Sequence, residues 1–120
     1  MRPNKYRAKP TNGFPSKLES AVHDVLLIRQ NAGEIKDIRR QQTVVLQPGT
    51  RHTRITWRVD FSYTDIKTSE TVYVEAKGIE ANDYKLKLKL WRANPPGRLE
   101  IWKGDYRRPK LVEVVDRMAA

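Results

Sequence analysis

The sequence contains no cysteine and only two histidines, His23 and His52. Without cysteine, neither a disulfide framework nor a thiolate metal site can form. No apolar run approaches the roughly 20 residues of a membrane-spanning helix, and the basic first residues lack the apolar core of a secretory signal. We therefore expect a cytoplasmic protein without membrane contact, in which any metal site uses oxygen ligands. Neither histidine has a partner by spacing, so both are interpreted as surface or structural residues.

Acidic residues are also scarce relative to basic ones. The 120 residues, enough for one ordinary domain, include 24 Lys and Arg against 14 Asp and Glu, giving a net charge of +10. Such an excess favours a polyanionic partner, because each neutralised phosphate releases condensed counterions. An anionic membrane and a merely soluble cationic protein are the alternatives. The basic residues are spread along the chain rather than concentrated on one amphipathic helix, which favours nucleic acid.

The chain divides into a short arm and one folded domain. Residues 1–15 carry Lys5, Arg7 and Lys9 with three prolines and no acid, which predicts a basic flexible arm. The domain covers residues 16–120 and begins with a helix. Ser16 is its predicted N-cap, and Glu19 completes a capping box. A helical arc over this segment ends at Gly33 and places Glu19, half-buried, at its border; the arc consists of Leu18, Ala21, Val22, Val25, Leu26 and Ile28.

Three predicted strands follow, over residues 38–47, 55–64 and 71–78. In residues 55–64 the alternation is the clearest of the chain. One face carries Ile55, Trp57, Val59, Phe61 and Tyr63, and the other carries Thr56, Arg58, Asp60 and Ser62. The second and third strands are close enough in sequence to form a hairpin. Residues 83–92 alternate leucine with lysine, but both are helix formers and none of these residues is β-branched, so we predict a helix.

That helix would carry a basic stripe of Lys85, Lys89 and Arg92. A short strand (RLEIW) and a C-terminal helix (PKLVEVVDRMAA) complete the order α-β-β-β-α-β-α. The predicted fold class is α/β.

Four acid-x-Lys tripeptides occur, beginning at Glu34, Asp65, Asp83 and Glu75. The first follows a helix end, the second lies in a turn and the third opens an ambiguous segment. Only Glu75 and Lys77 fall on a predicted strand and point to the same face. The tripeptide alone therefore carries no information, and its position in the predicted fold selects Glu75-Ala76-Lys77.

The hairpin register brings a second acid to this site. If Tyr63 pairs with Val72, Phe61 with Val74 and Val59 with Ala76, Asp60 lies across from Glu75, with Cβ atoms about 5 Å apart. Facing carboxylates destabilise a sheet unless a cation neutralises them, and oxygen ligands suit Mg²⁺, with Mn²⁺ as a substitute.

In this hypothesis Asp60, Glu75 and the Ala76 carbonyl hold the ion, which polarises a phosphate and lowers the pKa of a bound water. Lys77 orients that water or stabilises developing charge, and Glu19 ligates a second ion or bonds a metal-bound water. The alternative is structural: the two acids pair with Arg58 and Lys77, and Glu19 only caps its helix.

With these residues located, the sequence resembles the PD-(D/E)xK nuclease superfamily over about residues 5–103. The order Glu19, Asp60 and Glu75-Ala76-Lys77 is similar to that of bacteriophage endonuclease I-type Holliday junction resolvases. The phrases NKYRAKP, SKLE, RVDF, VEAKG and YKLKLKLW resemble small phage and prophage endonuclease-like proteins. Val59 stands where the superfamily pattern has proline, a position without a chemical role.

The resemblance implies a restriction-endonuclease-like domain with a mixed central β-sheet flanked by helices, and Mg-dependent hydrolysis of DNA phosphodiesters. It implies that Glu19 belongs to the site and, by analogy, a homodimer that cuts branched or junction DNA in the host cytoplasm. Seven basic residues are then expected to bind the nucleic acid: Lys5, Arg7, Lys9, Arg58, Lys85, Lys89 and Arg92. Two alternatives stay open: a phage or transposon-type endonuclease acting on non-junction DNA, and a non-catalytic nucleic-acid-binding module.

Overall fold

The structure, a computed structural model, describes residues 13–14, 16–76 and 83–116. Within them the chain forms two helices and five strands. In chain order these are α1 (Lys17–Asn31), β1 (Ile35–Gln47), β2 (Ile55–Asp65), β3 (Thr71–Ala76), α2 (Tyr84–Ala93), β4 (Arg98–Lys103) and β5 (Lys110–Val115). Neither helix is long and apolar enough to cross a membrane.

The five strands form one mixed sheet in the order β1-β2-β3-β4-β5. Neighbouring strands are antiparallel except β3 and β4, which are parallel and are connected through α2. Two parallel strands need such a crossover because the chain must return to the end of the sheet at which the first strand began. The predicted α/β fold class, with a mixed central sheet flanked by helices, is confirmed.

The two helices cover opposite faces of the sheet. Val72 and Val74 of β3 pack in the cluster that contains the buried face of α1. Tyr73, which points to the other face of the same strand, packs against the cluster that contains α2. Trp91 is the centre of this second cluster: its ring makes edge contacts with Trp57 and Tyr73, and its Nε1 donates to the Gly97 carbonyl at 2.9 Å. Each helix therefore has its own apolar layer.

Strand β2 changes layers at Asp60. Phe61 and Tyr63 pack with α1, whereas Trp57 and Val59 pack with α2. The expectation that all four share one face was therefore wrong. The change falls between the β1–β2 pairs Arg40–Phe61 and Gln42–Val59, where Gln41 has a positive φ of 55°. A positive φ interrupts the regular pleat, and strict alternation across this point cannot hold.

The type of the last element and the first residue of β1 also differ from the prediction. The segment from Lys110 is strand β5, antiparallel to β4, and not a helix. Its three valines favour a strand, and the preceding turn returns the chain alongside β4. Strand β1 starts at Ile35, three residues before the predicted start, because Ile35 is itself buried in the α1 layer. The predicted helix over residues 83–92 is confirmed by α2, with Tyr84, Leu88 and Trp91 buried.

Helix α1 buries a face that is rotated toward Glu19. Leu18, Val22 and Leu26 are buried as predicted, but Ile28 is 67% exposed, and only 5% of Glu19 is exposed. Glu19 thus lies on the packing face of the helix rather than at its border. Ser16 caps the helix, since its Oγ accepts a hydrogen bond from the Glu19 N–H at 3.1 Å. The Glu19 carboxylate contacts other groups, described below.

We expect Ser16→Ala to destabilise the protein by about 1 kcal/mol, because the Glu19 amide loses its acceptor at a partly buried helix end. Chemical denaturation followed by circular dichroism measures the change. Ser16→Asp, which restores an acceptor, should stay close to wild type; equal losses in both variants would contradict the capping role.

Candidate functional site

The hairpin of β2 and β3 separates at Asp60 and Glu75. The predicted pairs Tyr63–Val72 and Phe61–Val74 are confirmed. The predicted pair Val59–Ala76 was wrong, because Phe61–Val74 is the last backbone pair toward this end. Beyond this pair, a side chain of each strand accepts a hydrogen bond from the backbone of the other strand. The Asp60 Oδ2 accepts the Ala76 N–H at 2.8 Å, and the Glu75 Oε1 accepts the Asp60 N–H at 3.3 Å. Two carboxylates therefore face each other where the strands separate, held by reciprocal bonds to backbone amides.

Helix α1 adds a third carboxylate to this place. Glu19 is close enough to Asp60 to share a hydrogen bond with it, and its Oε2 accepts from Gln41 Nε2 at 3.3 Å. Glu19 and Glu75 are buried, at 5% and 8% exposed, and Asp60 is half-buried. Three acids from three different elements thus converge at one end of the sheet. We call Glu19, Asp60 and Glu75 the acidic cluster.

The surroundings of Glu19 in the acidic cluster raise the pKa of its carboxyl group. Burial of its carboxyl group, and then the charge of Asp60, raise its pKa from 4.5 to about 7. The positive charge of Arg40 and the hydrogen bond from Gln41 oppose this rise. Burial disfavours the ionised form, and a neighbouring like charge disfavours it further. The cluster is therefore an arrangement that a cation would stabilise.

Two residues that the sequence did not single out belong to this site. Gln41 donates to Glu19, and its backbone has the positive φ noted above. Arg40 lies over the Phe14 ring at 3.8 Å, donates to the Gly13 carbonyl at 3.0 Å and acts electrostatically on Glu19. In the sequence they read as polar residues of an ordinary strand, and no signal distinguishes them. A strained backbone at a cluster of charges is a common feature of functional sites.

The other predicted site residues are placed differently. Lys77 and the arm residues Lys5, Arg7 and Lys9 lie outside the described residues. Ala76 ends β3 and donates its N–H to Asp60. Arg58, Lys85, Lys89 and Arg92 are exposed, but Arg92 forms an ion pair with Glu113. The basic stripe of α2 is therefore present on the surface, with one of its members already paired.

The remaining acid-x-Lys tripeptides have local structural roles. Glu34 pairs with Arg29 at 3.4 Å, and Asp83 pairs with Lys87 at 3.3 Å. Asp65 accepts the backbone N–H groups of Lys67 and Thr68 and so closes the β2–β3 turn. Their acids are used in surface pairs and a turn, away from the acidic cluster.

Among the residues that the structure describes, no group of three or more His, Asp or Glu side chains is placed so that it could hold a metal ion. Within the acidic cluster, Asp60 and Glu75 each direct one oxygen to a backbone amide. A metal ion at this place would share these two carboxylates with the amides of the hairpin.

A further buried acid, Glu100, lies in the α1 layer and was not predicted. Its Oε2 accepts from Tyr63 Oη at 3.1 Å and its Oε1 from Trp102 Nε1 at 3.4 Å. Arg29 donates to the Tyr63 oxygen at 3.2 Å. Burial and then the charge of Glu100 raise the pKa of Tyr63 to about 12. These fully bonded groups make a structural polar network beneath α1.

His23 lies between two rings, with centroids 4.8 Å from Phe14 and 5.6 Å from Phe61. Burial lowers its pKa. His52 is exposed in the turn between β1 and β2. These positions agree with structural and surface roles.

The raised pKa of Glu19 predicts a pH-dependent stability of the metal-free protein. Between pH 4.5 and about 7 the folded state holds a proton at Glu19 that the unfolded state has lost. The contribution of Glu19 is thus fully present below pH 4.5 and is lost as the pH rises through 7. Between pH 5 and 8 the loss is on the order of 3 kcal/mol.

We therefore expect Glu19→Gln to be more stable than wild type at pH 8, with a smaller difference at pH 5, when unfolding is measured in chelator. Glu70→Gln, at an exposed acid, is the control and should follow wild type at both pH values. If Glu19→Gln showed the same dependence on pH as wild type, the raised pKa would be contradicted.

Comparison of the chain with protein-family models, curated proteins and solved structures gives no match.

Proposed function

We propose that this protein is a metal-dependent endonuclease that hydrolyses DNA phosphodiester bonds, with Mg²⁺ as its cofactor. One observation carries the proposal: the carboxylates of Glu19, Asp60 and Glu75 converge from a helix and two strands where the hairpin separates. They do so in a chain with a net charge of +10. A protein that only bound phosphate would gain nothing from a cluster of acids beside it.

The chemistry of the donor atoms, rather than their present arrangement, supports a divalent ion. These donors are carboxylate oxygens and, at Ala76, a backbone carbonyl, which suit Mg²⁺ and Mn²⁺ rather than zinc. Burial and then the charge of Asp60 raise the pKa of Glu19 to about 7, and a bound cation would relieve the second of these effects. Asp60 and Glu75 would hold the ion, with Glu19 as a further ligand or as a hydrogen-bond partner in its hydration shell.

A bound divalent cation would polarise the scissile phosphate and lower the pKa of the attacking water. The chain's own groups provide the rest. Glu19 and Gln41, joined by a hydrogen bond, position the helix side of the site. Arg40, whose positive charge acts on Glu19, would attract the phosphate next to the cleaved bond. Lys77 would stabilise the charge that develops on the phosphate oxygens.

The proposed substrate is branched DNA, such as a four-way junction, and the proposed active form is a homodimer. Both follow from the resemblance to small junction resolvases and from the symmetry of cutting two strands. The exposed residues Arg58, Lys85 and Lys89 would bind backbone phosphates, together with the arm residues Lys5, Arg7 and Lys9.

One assay tests the activity and the substrate together. Labelled junction, linear duplex and single-stranded DNA of the same sequence are incubated with the protein in Mg²⁺ or in chelator. We expect cleavage only with Mg²⁺ and fastest on the junction. No cleavage of any substrate would refute the nuclease, and equal rates on duplex and junction would leave an endonuclease for non-junction DNA.

A second candidate function is non-catalytic nucleic-acid binding. It is favoured by one observation: Asp60 and Glu75 bond to backbone amides, so the acids already have structural partners. For such a module we expect no cleavage of any of these DNAs in Mg²⁺, and salt-dependent binding of the same DNAs in a separate binding measurement.

A further inference from the structure

The loop between β4 and β5, residues 104–109, lies at the same end of the sheet as the acidic cluster. Strands β3 and β4 are parallel, and Glu75 pairs with Ile101 and Ala76 with Trp102. Since paired parallel strands end at the same edge, the chain leaving Lys103 enters its loop beside the end of β3. Any group displayed on this loop is therefore a neighbour of the proposed cleavage site.

This loop displays an aromatic ring among cations. Tyr106 is 41% exposed, so one part of its ring is open to solvent. The Lys17 Nζ lies 4.9 Å from the ring centroid, and the Arg107 guanidinium carbon lies 5.3 Å from it. Arg108 follows and is also exposed. We call Lys17, Tyr106, Arg107 and Arg108 the Tyr106 platform.

The contact with Lys17 joins the platform to the first turn of α1, which also carries Glu19. Lys17 begins α1, two residues before Glu19. Two residues advance a helix by about 3 Å along its axis. Only Lys17 of the platform lies on α1, and its side chain points to a different side of the helix from that of Glu19, two residues later. The platform is therefore a neighbour of the acidic cluster through the shared end of the sheet and the shared first turn of α1.

The turn that carries Tyr106 is held in place by its own backbone. The Asp105 Oδ1 accepts the Arg107 N–H at 2.9 Å, and the Asp105 carbonyl accepts the Arg108 N–H at 2.9 Å. Gly104 has a φ of +103°, and a Cβ there would lie 3.1 Å from the Arg108 carbonyl oxygen. The ring is therefore presented on a constrained turn, and the negative charge of Asp105 is directed to a backbone amide.

We propose that the Tyr106 platform binds an unpaired nucleobase and the phosphates on either side of it, next to the cleaved bond. An exposed ring flanked by cations suits a single-stranded nucleotide, because any base can stack on the ring while the cations hold its phosphates. A base inside a duplex is already stacked and cannot do this. Base stacking is stronger than an exposed cation–π contact, so Lys17 can leave the ring for a phosphate.

This inference rests on the proposed function and gives it a substrate: DNA with an unpaired nucleotide beside the cut, as at a branch point. It predicts that the platform selects for structure rather than for base sequence. Any base can stack on a tyrosine ring, and contacts to phosphates do not distinguish one base from another.

Binding in chelator, where no cleavage occurs, tests the platform. Two DNAs of matched length are used: a fully paired duplex, and a branched DNA with 2-aminopurine at its unpaired position. We expect Tyr106→Ala to weaken binding of the branched DNA roughly 5- to 100-fold, the effect of losing one stacked base, and to change duplex binding less than about 2-fold. Tyr106→Phe, which keeps the ring, should retain wild-type binding and the quenching of 2-aminopurine, whereas Tyr106→Ala should lose that quenching.

Arg51→Ala, an exposed arginine in the turn between β1 and β2, is the control for general loss of charge and should affect both DNAs alike. The platform is overturned if Tyr106→Ala weakens both DNAs equally or neither. If the wild type cleaves DNA but Tyr106→Ala discriminates as wild type does, the platform fails and the nuclease stands. If discrimination depends on Tyr106 but no cleavage occurs in Mg²⁺, the nuclease fails and the platform stands.

Discussion

Asp60→Asn is expected to reduce Mg²⁺-dependent DNA cleavage on the order of 1,000-fold while leaving the fold and DNA binding intact. Asp60 is the central member of the acidic cluster, in contact with Glu19 and bonded across the hairpin to Ala76. Loss of a metal ligand removes several kcal/mol of charge stabilisation, and each 1.36 kcal/mol corresponds to a tenfold change in rate. The asparagine carbonyl can still accept the Ala76 N–H, so the hairpin should keep its structure.

The comparison requires a neutralised acid of the same type outside the cluster. Asp24 on α1 is exposed, and Asp24→Asn removes one negative charge from the protein, as Asp60→Asn does. Single-turnover cleavage of the junction, with binding measured in parallel, separates the two variants. Equal rates for Asp60→Asn and Asp24→Asn would remove Asp60 from the active site.

Lys77→Ala is expected to slow cleavage about 100- to 1,000-fold without changing the affinity for the metal ion. A lysine beside the phosphate acts on the charge that develops in the transition state, and removal of one such preorganised group typically has an effect of this size. Lys77 is expected to be close to the phosphate because it directly follows Ala76, the last residue of β3, and is two positions after Glu75.

The chain offers a matched control in Lys67. It belongs to another acid-x-Lys tripeptide, whose acid Asp65 closes a turn. Lys67→Ala should cleave at the wild-type rate. If Lys67→Ala and Lys77→Ala lost activity equally, the effect would be one of net charge, and Lys77 would have no specific role.

The hairpin register is the part of the site that the sequence predicted well. Alternation in residues 55–64 and 71–76 is strong enough to set Phe61 against Val74, and this pair places Asp60 next to Glu75. The N-cap Ser16 and the helix α2 also follow from local residue preferences. These features depend on residues close in sequence, for which periodicity and capping rules carry most of the information.

The remaining features depend on contacts between distant residues. The burial of Glu19 follows from the rotation of α1 on the sheet, which turned Ile28 outward. Gln41 and Arg40 enter the site at the point of β1 that lies beside Asp60, where Gln41 has a positive φ. The C-terminal strand β5 forms because β4 offers an open edge, although leucine and glutamate in the same segment favour a helix. None of these can be read from one segment alone.

Binding of Mn²⁺ to the metal-free protein tests the central claim most directly, because it measures the acidic cluster without any assumption about substrate. The free ion is followed by its electron paramagnetic resonance signal during titration at pH 8. We predict saturable binding by wild type, retained in Asp24→Asn and weakened more than about 100-fold in Asp60→Asn and in Glu75→Gln. Wild-type affinity in the latter two variants would contradict the assignment of Asp60 and Glu75 as the metal site.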